Sequence, residues 1–427
     1  MKKKILFTLY DLEIGGIERS FINMLNSFDY QKYEIDILLF NHKGELLEAI
    51  PEKANLITQK KELTVFRKPL KQCLKEGHII ASLCRMIAKV VANRQAKKRR
   101  LIEGGGYIQM QLALKYSLFF LSKLEKKYDI AISYAWPHDY VATKVSAEKK
   151  IAWIHTDYSN LEINNKQDYR IWSRFNHIIS ISEKCTTSFL STYPSLKGRI
   201  TEIENINSPA LIKKMAHQFE SKELNRESFN IVSVGRLSYA KGYDMAIEAM
   251  KQLKLRGFSN IKWYVVGYGT EEKNLKEQIN EAQLHNEFIL LGKKTNPYPY
   301  IHACDVYIQP SRYEGKAVTV TEAKILSKPI VITDYPTAKS QLVSGEEGII
   351  CPLSIEGIAD EIEKLYKDDV RREQYSLNLS KKDFSNLQEL EKLYFLFGEK
   401  IDGSVNGLMR GKEQIDESER RYSSLQQ

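Results

Sequence analysis

At 427 residues the chain exceeds what one hydrophobic core fills, so two domains of about 200 residues each are expected, with a cleft between them. Hydrophobic residues make up 43% and aromatic residues 10%, which excludes a disordered body. The net charge of +10 calls for an anionic partner, which nucleic acid, membrane lipid or a phosphorylated substrate would each satisfy.

Met1-Lys2-Lys3-Lys4 runs into Ile5-Leu6-Phe7 like a leader, but Thr8 and Asp11 cut the apolar run short, so a first core strand is expected. No stretch reaches the ~18 apolar residues of a membrane span, which predicts a soluble or peripheral protein. Cys73, Cys84, Cys185, Cys304 and Cys351 are scattered and never form C-x-x-C, which argues against a disulfide framework or a structural zinc site. A reducing cytoplasm is the expected compartment.

The apolar run 3–9 ends at Asp11-Leu12-Glu13-Ile14-Gly15-Gly16, and Ile17, Phe21, Met24 and Leu25 then recur at helical spacing. Further strands are predicted at 33–40, 129–133, 150–154 and 177–181, alternating with helices, so the first half is α/β with a parallel sheet. Between them Leu70, Leu74, Ile80, Leu83, Cys84, Ile87 and Val91 trace one helix face, and residues 60–100 carry thirteen Lys or Arg against two Glu. This basic amphipathic segment reads either as a docking surface for anionic headgroups or a lipid-diphosphate acceptor, or as an ordinary solvated helix.

The polar stretch 201–208 before Pro209 marks an interdomain crossing near residue 205. Short β-rich runs at 230–234, 262–266, 287–291, 306–309 and 329–333 build a second doubly wound domain. Leu387, Leu390, Leu393, Tyr394 and Phe397 predict a terminal helix at 386–402 that returns to the first domain, followed by a polar tail at 403–427. The expected domains are therefore 1–205, 206–385 and these two terminal pieces.

The chemistry concentrates in the second half. Ser233-Val234-Gly235-Arg236-Leu237 closes a strand in a glycine turn, and Lys241-Gly242 precedes the helix at 243–250. A helix N-terminus with two cations suits a diphosphate: Gly235 lets backbone N–H groups approach, Arg236 grips two oxygens and Lys241 adds a point charge. Val266-Gly267-Tyr268-Gly269 forms a second glycine turn, suited to a flat base or a ribose. In Pro310-Ser311-Arg312-Tyr313-Glu314-Gly315-Lys316-Ala317, Glu314 lies in a loop that opens a helix carrying Glu322. A carboxylate in the loop can accept hydrogen bonds from sugar hydroxyls, and one on the helix from ribose hydroxyls.

Taken in order, strand-Gly-Arg-Leu, Lys-Gly, Val-Gly-x-Gly and the Glu pair with seven residues between closely resemble the retaining glycosyltransferases of family four, over roughly residues 231–352. The resemblance implies a GT-B fold, two Rossmann-like doubly wound domains facing across a cleft. It implies that Arg236 and Lys241 bind the diphosphate of a nucleotide-sugar donor, that Glu322 holds its ribose and that Glu314 contacts the transferred sugar. Gly267 and Gly269 would border the nucleoside. Gly15 and Gly16 look like the family's glycine loop, and His155, in Trp153-Ile154-His155-Thr156-Asp157, falls where the family places a histidine near the donor sugar. Glu314, His155, Arg236 and Lys241 form the implied catalytic set. The family commonly has an aromatic residue and glycine after Glu314-Gly315, where this chain has Lys316-Ala317. The amides of Gly315, Lys316 and Ala317 are expected to serve the sugar or diphosphate, with Lys316 adding a phosphate contact or changing the sugar preference.

No D-x-D pair occurs, so neither a metal nor another cofactor is expected. The implied reaction moves a hexose or N-acetylhexosamine, UDP-linked by family frequency, to a glycan or lipid-linked saccharide acceptor in surface polysaccharide or capsule assembly. The expected location is the cytoplasmic face of the plasma membrane, bound peripherally through the segment 60–100. Nucleic acid is not an expected partner, because no recognition helix, zinc pattern or ribonucleoprotein motif occurs. The alternatives are an inactive glycosyltransferase-like partner protein, or an epimerase or phosphorylase on the same fold.

Overall fold

The computed structural model describes residues 2–13, 15–101, 105–315 and 317–399. Lys316 and the polar tail at 403–427 lie outside the described residues. The chain divides into two compact units, Met1–Ile206 with Asn386–Gln427, and Asn207–Ser385.

The first unit is built on seven parallel strands: β1 (Lys3–Leu9), β2 (Tyr33–Leu39), β3 (Asn55–Leu56), β4 (Lys127–Ser133), β5 (Ser146–Ile154), β6 (His177–Ser180) and β7 (Ile200–Glu202). Their order is β3-β2-β1-β4-β5-β6-β7. β1 sits between β2 and β4, so the winding reverses there and the carboxyl ends of β1 and β4 open a crevice. The terminal helix Gln388–Leu396 belongs to this unit. Tyr394 stacks on Tyr33 at 5.2 Å and accepts the Asp29 N–H at 2.9 Å. Lys3 Nζ and Lys149 Nζ donate to the Phe397 and Leu396 carbonyls at 2.8 and 3.1 Å, satisfying the helix's last acceptors.

The second unit repeats the plan with six parallel strands: β8 (Phe229–Val234), β9 (Ile261–Val266), β10 (Phe288–Gly292), β11 (Val306–Gln309), β12 (Ile330–Thr333) and β13 (Gly348–Cys351), ordered β10-β9-β8-β11-β12-β13. Strand periodicity splits its core in two. Ile231, Trp263, Ile308 and Val331 pack on one side of the sheet, while Val232, Tyr264, Tyr307 and Ile332 pack on the other. Burial on both faces explains why these strands read as unbroken apolar runs. Here β8 is the strand between neighbours wound in opposite directions, so the loops after β8, β9 and β11 share one edge.

One expectation fails. The apolar face drawn from Leu70 to Val91 is not a single packing face, because Gly77, at φ +81°, separates α2 (Leu70–Lys75) from α3 (Ile79–Arg99). The helix α3 instead buries Ser82, Cys84, Ala88 and Ala92, and the two alanines pack with Ile108, Leu112 and Ala113 of α4 (Gly106–Ser117). Small side chains let the two helices approach closely. Ile80, Leu83 and Ile87 are left facing outward.

Candidate functional site

In the second unit the loops after β8 and β9 are joined through their backbones. The Gly235 N–H donates to the Val266 carbonyl and the Leu237 N–H to that of Tyr268, each at 3.0 Å. A Cβ on Gly267 would overlap the Gly235 carbonyl oxygen, and one on Gly269 that of Leu237. These two glycines are therefore required for chain packing, and the Gly267 N–H is itself committed to the Gly292 carbonyl at 2.9 Å. Gly235 leaves room for its neighbours, since a Cβ there would press on the Tyr243 hydroxyl and the Lys241 stem. Gly242, at φ +66°, starts the helix Tyr243–Leu255 against the Pro310 carbonyl, which a side chain would displace.

Lys241 crosses to the loop after β11, where its Nζ meets Glu314 Oε1 at 2.5 Å. The same oxygen accepts Ser311 Oγ at 2.6 Å and Gln309 Nε2 at 3.1 Å. Glu314 thus presents an oriented carboxylate at the sheet edge. Gln309 Oε1 also accepts Thr319 Oγ1 at 3.2 Å, tying this cluster to the helix Val318–Ile325. Glu322 on that helix is fully buried and accepts the Tyr298 hydroxyl at 3.1 Å. The Ala317 N–H is taken by Gln341 Oε1 at 2.9 Å, so this amide is already satisfied, whereas Gly315 is exposed with open space around it. Arg236 is exposed and has no ion-pair partner among the described residues. Arg312 fastens the loop: it grips Asp244 through two nitrogens at 2.7 and 2.5 Å, donates to the Tyr239 carbonyl at 2.8 Å and lies 4.0 Å over the Tyr239 ring. Burial works to raise the Asp244 pKa, but the bonds and charge of Arg312 outweigh it and hold the carboxyl below its usual value.

The first unit contributes a cavity of about 310 Å³ beyond the carboxyl ends of β1, β4 and β5, lined by Tyr10, Glu18, Trp136, Trp153, His155 and Trp172 among others. His155 follows β5, and its Nε2 lies 2.8 Å from the Tyr134 carbonyl. A carbonyl can only accept, so Nε2 carries the proton and Nδ1, buried without a partner, offers a lone pair. Burial lowers the His155 pKa to about 4, so the ring is neutral near pH 7 and can accept a hydroxyl hydrogen. Glu18 lies in the first turn of α1 (Gly16–Asn26), and burial raises its pKa. Its carboxylate fills the place a Gly15 side chain would need, whereas Gly16 has open space beside it. Arg67 stacks 4.4 Å over Tyr10 and pairs with Asp11 at 3.6 Å.

The His155 environment yields a test. Unfolded imidazole takes its proton near the ordinary value of 6.5, while the folded ring resists protonation down to about 4. Between those values the unfolded state binds more protons, so this contribution to stability falls as pH falls and is level above 6.5. Relative to His155→Asn, the wild type is expected to lose about 1.4 kcal/mol per pH unit within that window, read by denaturant unfolding of both proteins at each pH.

Gln309, Ser311, Tyr298 and the Arg312–Asp244 pair were not singled out by the sequence, although Ser311 and Arg312 lie inside the motif it highlighted. Proximity to Glu314 was the available signal for Gln309 and Ser311. Among the described residues no group of three or more His, Cys, Asp or Glu side chains gathers as a metal-binding set.

Residues 215–382 match the family described as glycosyl transferases group 1. The capsular polysaccharide biosynthesis glycosyltransferase CapM of Staphylococcus aureus is 27% identical over 241 residues, 53% of this chain and 63% of CapM. The N-acetylgalactosamine-N,N'-diacetylbacillosaminyl-diphospho-undecaprenol 4-alpha-N-acetylgalactosaminyltransferase of Campylobacter jejuni is 27% identical over 194 residues, 43% of this chain and 52% of that enzyme. The chain spans about half the length of the relatives it matches. Among solved structures, Anabaena HepE in complex with UDP and glucose has a TM-score of 0.61 at 17% identity, covering 93% of this chain and 99% of that one.

Proposed function

We infer that this chain, whose residues 215–382 match the group 1 glycosyl transferases and whose two Rossmann-like units have the GT-B fold, is a retaining, metal-independent hexosyltransferase. It takes a hexose or N-acetylhexosamine from a nucleotide sugar, UDP-linked in this reading, and adds it to a hydroxyl of a growing lipid-linked surface glycan. The observation that carries this reading is the cluster of Lys241, Glu314, Gln309 and Ser311 at the edge of the second sheet, with exposed Arg236 on the loop after β8.

As the diphosphate leaves, negative charge grows on its oxygens and the anomeric carbon gains oxocarbenium character. Arg236 and Lys241 offer positive charge to the leaving group. Glu314, still oriented by Ser311 and Gln309 when Lys241 turns to phosphate, accepts hydrogen bonds from the sugar, and Glu322, closed off beside Tyr298 in this structure, is the residue the family resemblance gives to the ribose. His155 Nδ1 accepts from a sugar hydroxyl. The names of CapM and of the Campylobacter enzyme support a surface glycan and a lipid-diphosphate acceptor. A place at the inner face of the plasma membrane accords with the basic segment 60–100, and no helix among the described residues is long and apolar enough to cross a bilayer.

Calorimetry against UDP-, GDP-, ADP- and CDP-sugars tests the donor. One nucleotide class should bind, and Glu322→Ala should lose it. Turnover should persist in EDTA with the anomeric configuration of the donor kept in the product. Activity lost to EDTA and restored by manganese would refute the metal-free reading, and binding of no donor would favour an inactive partner protein.

A further inference from the structure

The helix α3 has its faces reversed relative to a surface helix of a globular unit. The inward face carries Ser82, Cys84, Ala88 and Ala92. Outward stand Ile79, Ile80, Leu83, Met86, Ile87 and Val90, each between 42% and 66% exposed, within an arc of about 120° at 100° per residue. In the last turns the same outward stripe continues as Arg94, Lys97 and Lys98. The stripe is apolar for its first three turns and cationic thereafter.

A second element extends the patch. Phe119 and Phe120 follow α4, are 85% and 54% exposed, and meet edge to face at 5.3 Å. Phe120 and Leu121 line one hollow of about 380 Å³ with Ile79, Ile80 and Ala81, so the phenylalanine turn and the start of α3 form a continuous surface. Lys115 and Lys123 flank that turn in the chain, and both are exposed.

We propose that the outward face of α3, with the Phe119–Phe120 turn as its wedge, is a bilayer-insertion surface that seats this unit on anionic lipid, α3 lying in the plane of the interface. This rests on the membrane reading above and specifies which side chains enter the lipid. Apolar side chains bounded by cations match the order of acyl chains and phosphodiester headgroups at a membrane surface. A second copy of the chain is a poor occupant, because residues 60–100 hold thirteen cations against two carboxylates and a symmetric contact would set like charges together.

The test is co-sedimentation of the full chain with phosphatidylcholine vesicles, with and without phosphatidylglycerol, over a salt series. Wild type should bind the anionic vesicles, and Phe119→Ser with Phe120→Ser should weaken binding about tenfold or more at unchanged UDP affinity. The triple variant Ile80→Ser, Leu83→Ser, Ile87→Ser should do the same. In Phe119→Trp, vesicles should shift the emission to the blue, and acyl chains brominated near the headgroup should quench it. No vesicle binding at low salt overturns both this proposal and the membrane reading, while donor calorimetry reports separately on the catalytic reading. Binding that both serine variants retain in full overturns insertion and leaves charge-only docking. A concentration-dependent dimer abolished by the serine variants, without vesicle binding, overturns the proposal in favour of self-contact.

Discussion

Lys241→Ala is expected to lower kcat by two to three orders of magnitude, about 3 to 4 kcal/mol of barrier, with a smaller change in KM. The asymmetry follows from when charge appears: the bound diphosphate shares its charge with the sugar bond, and the departing one does not. Any cation that stabilises only the departing form acts on turnover. Lys241 also has a structural duty, because it is one of three donors converging on Glu314 Oε1. Removing it leaves that carboxylate charged with a partner fewer, so some loss of stability is expected as well. A double-mutant cycle with Glu314→Gln separates the two effects. The second change should return stability, since a neutral amide needs no counter-charge, while turnover stays low. Turnover per folded protein that is unchanged in Lys241→Ala would remove this lysine from the mechanism.

Gly267→Ala is expected to cost the second unit about 4 kcal/mol or more of stability, although it adds a single methyl group. That methyl would overlap the Gly235 carbonyl oxygen, which is backbone and cannot rotate away. The strain falls on the pairing of Gly235 with Val266 and of Leu237 with Tyr268. Gly315→Ala is the matched control, with nothing within 4 Å of the added carbon, and should stay within about 0.5 kcal/mol. Denaturant unfolding combined with hydrogen exchange across β8 and β9 measures both. If the two variants were equally stable, the glycine turn after β9 would not be a packing requirement, and a purely ligand-directed role for Gly267 would regain ground.

Much of the fold was legible because strands buried on both faces write themselves as apolar runs, and 3–9 and 306–309 agree with β1 and β11 to the residue. The edge strands β3, β7 and β13 were missed. Asn55–Leu56 and Ile200–Glu202 are too short to show a period, and Gly348–Cys351 is a run of only three side chains between a glycine and Pro352. The helix face at 70–91 was misdrawn for a different reason. Hydropathy ranks side chains by their cost in water but is silent on how closely a neighbour comes, and α4 approaches so closely that α3 meets Ile108 and Leu112 with alanines.

The site divides in the same way. Sequence by itself named the residues proposed for this chemistry, since a glycine turn with Arg and Lys ahead of a helix, followed by a carboxylate pair, is a local pattern. Only the tertiary structure decided how each one is held. Lys241 and Glu314 lie 73 positions apart and meet because β8 and β11 are neighbours in the sheet. His155 offers Nδ1 because the Tyr134 carbonyl, 21 positions away at the end of β4, takes the other nitrogen. Residue type sets what a side chain can donate or accept, and the partner that claims one of its atoms, brought there by chain crossing, decides which atom is left for a ligand.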